Sequence, residues 1–206
     1  MKAFEVTSIT NFSVAGEALL AAGFVLGRTQ VAISARSLWA VALLLFAIGF
    51  MIGGIDHGFF EPKGNTRSRL IVQKVSWFCG GLTTYLIEVS TAYEFTSVRV
   101  KMIVALIGAV QLLIFLVLAT KNHEYLIVMI NYFPALLFLL ICNICALGSG
   151  VGSWYMIAGI AVTIGASLVE LVGVDRFSPV DRHGVYHLVM AVAVALFFLG
   201  GLALKG

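Results

Sequence analysis

Apolar stretches of about twenty residues recur along this chain with only short polar turns between them, and that is the length at which a helix spans a bilayer. A bilayer interior offers no water to backbone N–H and C=O groups, so such stretches must fold as helices or as strands of a closed barrel. The alternating segments of about ten residues that build barrels are missing, which leaves a helical bundle. Composition agrees, since 61% of residues are hydrophobic and 11% charged, against about 25% charged in soluble domains.

Runs and breakers place the segments at about 9–27, 37–57, 70–92, 100–119, 125–147, 152–173 and 183–204. The reading is an all-α polytopic membrane protein, one seven-transmembrane-helix bundle over residues 1–206. Lys2 ahead of the first run has the look of a signal peptide. Glu5 and the polar Thr7-Ser8-Ile9-Thr10-Asn11 fit one poorly, so this segment reads as a retained span. Pro134 inside the fifth segment predicts a kink. Trp39, Trp77 and Trp154 stand near segment starts, as interfacial anchors do. Cys79, Cys142 and Cys145 fall in apolar stretches and read as packing residues, although the last two form a C-x-x-C.

Seven spans put the termini on opposite sides. Lys2, Lys63, Arg67, Arg69, Lys74, Lys121, Arg176 and Arg182 then share the N-terminal side, against Arg28, Arg36, Arg99, Lys101 and Lys205 on the other. The excess favours a cytoplasmic N-terminus. The formal charge of +3 is spread over turns and forms no basic patch, so nucleic acid is not an expected partner. Membrane lipid and a lipid-like small molecule are.

Four histidines occur, and two stand as His183-Gly184-Val185-Tyr186-His187 at the mouth of the last segment. Residues four apart share a helix face, so both imidazoles can reach one point. His57 ends the second segment on the same membrane side. Its stripe runs Gly49, Gly53, His57, and Gly49-x-x-x-Gly53 is a close-packing signal that turns the histidine inward. The stripe His183, His187, Ala191, Ala195 is inward by the same reasoning. Three imidazoles at one depth are the ligand set of an open zinc site, with a fourth position left for water. His123 lies in the turn after the fourth segment and reads as an exposed loop histidine.

This pattern, a histidine closing the second helix and H-x-x-x-H opening the seventh, resembles the CREST superfamily, which holds alkaline ceramidases, progestin and adipoQ receptors and hemolysin III-like proteins. The resemblance covers the whole chain as topology and two short motifs as residues. It implies one Zn2+ held by His57, His183 and His187, and hydrolysis of an amide in a lipid-like substrate. Two positions depart from the pattern. Gly53 stands where those proteins carry a serine, and no aspartate occurs from Phe59 to Val174 to match the one associated with their third helix.

Asp56, beside His57, and Glu170, near the end of the sixth segment, are the acids that can act at such a site as proton acceptors. Adjacent helix residues diverge by about 100°, so Asp56 can also turn away. Asp181 can serve the site or cap the last helix. Glu17 and Glu88 are further carboxylates at membrane depth, where an isolated charge is expensive. Three functions compete: a zinc-dependent hydrolase, a seven-span receptor or structural protein braced by a metal, and a proton-coupled transporter using Glu17, Glu88 and Glu170. No internal repeat is visible, which counts against a transporter built from inverted halves.

Overall fold

A computed structural model describes residues 2–122, 124–148, 150, 152–173 and 180–206. His123 and the stretch 174–179, with Asp175, Arg176 and Pro179, lie outside the described residues. The described residues form seven α-helices: α1 Ala3–Gly27, α2 Ala35–Ile55, α3 Arg67–Phe95, α4 Val98–Lys121, α5 Leu126–Cys145, α6 Gly152–Val172 and α7 Arg182–Leu202. A π-helical turn, Asp56–Phe60, and a 3-10 turn, Glu61–Lys63, extend α2. The protein is all-α, as the apolar runs require. Six helices are long and apolar enough to cross a membrane. The seventh, α3, is the longest at 29 residues but carries charges and hydroxyls throughout.

The helices close a ring. Neighbours pack in the order α1, α2, α3, α5, α6, α7 and back to α1, while α4 lies outside against α3 and α5. Only Gly108, Phe115 and Ala119 of α4 are buried, and Met102, Leu106, Ile107 and Leu113 point outward. An outer face this apolar is at home in lipid. Small residues let the ring tighten. On α1 the buried stripe is Val14, Ala15, Ala18, Ala21, Ala22 and Val25. A Cβ on Gly49 would lie 3.3 Å from Cys79 of α3, and one on Gly53 would lie 2.9 Å from Asn11 of α1. The two glycines of the close-packing motif therefore serve two different helix contacts.

Two differences from the sequence reading stand out, and one alternative it left open is decided. α1 begins at Ala3 rather than near residue 9, so the polar run Thr7 to Asn11 is helical, with Thr7, Ser8, Thr10 and Asn11 buried. Trp39 is not an interfacial anchor: it is 2% exposed, and its Nε1 donates to the Phe197 carbonyl at 3.1 Å. Asp181 caps α7, accepting from Gly184 N at 2.8 Å. Thr7 Oγ1 donates to the same oxygen at 2.8 Å, tying α1 to the start of α7.

Candidate functional site

The π-helical turn at the end of α2 sets the site. A π turn widens the helix by one residue and is frequent at functional positions. Here it brings both Asp56 and His57 to the wall of one cavity of about 280 Å³, despite their adjacency. Glu170, from the end of α6, and His183 and His187, from the first turns of α7, line the same cavity. The three candidate ligands and the two candidate proton acceptors read from the sequence meet there.

Each imidazole is held through Nδ1. His57 Nδ1 lies 2.6 Å from Glu61 Oε2, four residues on. His183 Nδ1 lies 3.0 Å from Glu170 Oε2. His187 Nδ1 lies 3.1 Å from Thr10 Oγ1, and Asn11 Nδ2, 3.2 Å away, donates to the Thr7 carbonyl at 2.9 Å. Thr10 donates its own proton to the Thr7 carbonyl at 3.0 Å and so is left to accept from the ring. The ring centre of His57 stands 5.7 Å from that of His183 and 6.4 Å from that of His187. Among the described residues, no three His, Cys, Asp or Glu side chains are close enough to hold a metal ion as they stand.

The acids have distinct surroundings. Asp56 is 3% exposed and pairs with Arg69 of α3, whose Nε lies 3.5 Å from Oδ1. Gln73 donates to its Oδ2 at 3.3 Å. The Arg69 contact is an ion pair without hydrogen-bond geometry, so Asp56 Oδ1 and Arg69 Nε are both buried with no hydrogen-bond partner among the described residues. Arg69 also reaches Glu61 at 3.3 Å through NH2. Three carboxylates (Asp56, Glu61, Glu170) against one guanidinium leave the cavity at a formal −2 while the histidines are neutral. Such a chamber attracts cations.

Glu17 and Glu88 do not join it. Glu88 is buried on α3, where a Cβ on Gly108 of α4 would meet its Oε2. Glu17 is half-buried on α1. Neither lines the histidine cavity.

The sequence reading missed Glu61, Thr10, Asn11, Arg69 and Gln73. Two signals pointed to them: the four-residue step from His57 to Glu61, and a polar run beside an otherwise apolar first span. The reading also passed over a second, apolar cavity of about 160 Å³, which shares Gly49, Phe50, Ser76, Trp77, Tyr125 and Tyr186 with the histidine chamber.

A ring of long apolar helices around a polar chamber defines a polytopic helical membrane protein. Over residues 6–205 the chain matches a family of unknown function, DUF6962, and it belongs to that family. Neither a curated protein nor a solved structure matches it.

Proposed function

We propose that the histidine chamber is the centre of a membrane-embedded, zinc-dependent hydrolase that acts on an amide or related bond of a lipid-like substrate. The observation that carries this reading is the shared anchoring of the three imidazoles through Nδ1 at one cavity. His57, His183 and His187 line one cavity, and each engages a polar partner through Nδ1. Histidines that ligate metals are typically held in this way through the other ring nitrogen, which fixes tautomer and orientation. Tetrahedral zinc with ligand bonds of about 2 Å spaces ring centres by about 5 Å. At 5.7 Å from His183 and 6.4 Å from His187, the His57 ring would have to move inward by about 1 Å to share a zinc with each. A formal −2 in the chamber suits a dication.

Bound zinc would polarise a carbonyl and make water nucleophilic near neutral pH. The chain's own groups then divide the remaining work. Glu61 and Glu170 hold the Nδ1 protons of His57 and His183, which makes them positioning residues. Asp56 Oδ1 has an uncommitted lone pair and is the acceptor for a proton released in the chamber. This reassigns Glu170, since its carboxylate is already engaged on His183. The likeness to the CREST superfamily rests on the histidine motifs and supports the same reaction class. With a cytoplasmic N-terminus, the chamber lies toward the cytoplasmic face.

Elemental analysis of purified protein tests the reading. Stoichiometric zinc is expected, with loss in His57→Ala and His187→Ala. Protein free of any transition metal would overturn it. One observation favours a second reading, in which the metal only braces the helices: Asp56 is itself tied to Arg69 and Gln73. Under that reading Asp56→Asn leaves every measurable activity of the protein unchanged.

A further inference from the structure

The histidine chamber and the apolar cavity meet at Tyr125, at the start of α5, and Tyr186, in the first turn of α7; both line both spaces. Their hydroxyls face each other at 3.5 Å. The Tyr186 ring stacks edge-on against His187 at 5.3 Å, and that of Tyr125 against Trp77 at 6.4 Å. Two phenols carry two O–H donors, and a bond between them uses one. Neither hydroxyl bonds any other described residue, so one donor at this part-exposed junction is free for a ligand that enters between the two spaces.

Below this pair the cavity is apolar for a specific reason. Below Tyr125 and Tyr186 its hydroxyl-bearing residues are Ser76, Thr83, Thr84, Tyr132 and Thr163, and the Tyr132 hydroxyl is taken up by Ser167 at 2.6 Å. Ser76 donates to the Gly49 carbonyl, and the threonines to Cys79, Gly80 and Gly159 on their own helices. With the hydroxyls engaged in this way, the wall presents carbon. The cavity runs from Phe50 to Trp39 along α2 and from Tyr186 to Phe197 along α7, about 16 Å at the helical rise. At about 160 Å³ it is narrow. A cavity of about 150 Å³ accepts a six-carbon ring.

We infer that Tyr125 and Tyr186 form a hydroxyl collar that seats the carbonyl of an amphiphilic ligand, with its chain in the apolar cavity below, whose volume rather than its span limits that chain to roughly eight carbons. The inference rests on the proposed hydrolase in that the seated carbonyl faces the histidine chamber, and it adds the residues that position the ligand and the chain length selected.

The test uses full-length protein stripped of metal by chelator, in a Trp154→Phe background that removes an exposed indole. The apolar probe 1-bromooctane should quench Trp39 and Trp77, which line the cavity, and octanamide should displace it more effectively than butanamide or hexadecanamide. In Tyr125→Phe/Tyr186→Phe, quenching by 1-bromooctane should persist, while octanamide becomes about tenfold weaker, the loss of one hydrogen bond. Unchanged octanamide potency in that variant overturns the collar, as does absence of quenching in the parent. If the double variant loses both probes, the single variants decide: each should keep 1-bromooctane and weaken octanamide severalfold, and neither doing so overturns the proposal. A collar that behaves as expected in a protein holding no zinc would sink the hydrolase and leave the collar. Zinc retained beside collar-insensitive octanamide would do the reverse.

Discussion

Under the proposed hydrolase, Glu61 and Glu170 perform one task on two histidines and Asp56 another. Glu170→Gln should therefore weaken zinc retention by about 10- to 100-fold, as loss of a group that orients a ligand does, read by competition with a chelator. Asp56→Asn should keep the metal and lower turnover of an N-acyl amide by about 100-fold or more; equal effects of the two variants would contradict the division of roles. Arg69 is a structural matter. It is the cation between Asp56 and Glu61, and removing one partner of a buried pair strands the other. Arg69→Met should destabilise the protein by about 3 kcal/mol, and Asp56→Asn in that background should restore part of the loss, measured by thermal unfolding in detergent. At this scale the histidines were legible because imidazole is rare in the chain and their spacing falls on one helix face. Arg69 and Gln73 were not, because a charge near a segment end looks the same whether it faces solvent or a chamber.

Between residues and fold, the elements explain why polar groups stand at membrane depth. The first turns of α1 carry Thr7 and Thr10 because they hold Asp181 and His187, so a span that begins with polar residues is a supporting wall. The π-helical turn is equally specific: deleting Phe59 should return the turn to α-helical register and rotate Glu61 and the residues beyond it by about 100°. Zinc retention should then be lost with far-UV helicity unchanged, and retention at the parental level would show that the turn is dispensable. Helix contacts give a contrast of their own. A Cβ on Gly201 would lie 2.5 Å from the ring of Trp39, whereas Gly23 has nothing within 4 Å. Gly201→Ala should destabilise by about 2 kcal/mol through overpacking, and Gly23→Ala should stay within about 1 kcal/mol of the parent. Near-identical melting temperatures for the two would refute the close α2–α7 contact. No run of hydropathy distinguishes these glycines, since both sit among apolar residues and differ only in what faces them.

For the whole molecule, the closed ring of six helices with α4 outside encloses two adjoining cavities beside its packed core, and under the proposed function zinc retention is a property of the polar one. Protons compete with metal for imidazole nitrogen, so retention should hold at neutral pH and fall as the pH drops below about 6; metal content after equilibration across that range checks it, and retention indifferent to pH would argue for ligands other than histidine. The sequence by itself determined the class, because backbone groups in lipid admit only helices or barrels, and runs of twenty apolar residues admit only helices. It also determined that His57, His183 and His187 lie at one level, since alternating spans assign every turn a side. The tertiary structure alone decided which helices are neighbours, that α4 stands apart, that Glu61, Glu170 and Thr10 hold the imidazoles, and that an apolar cavity adjoins the polar chamber. Those outcomes depend on which faces of separate helices meet, and contacts such as Asn11 with His187 join residues far apart in a chain whose local pattern is the same apolar run throughout.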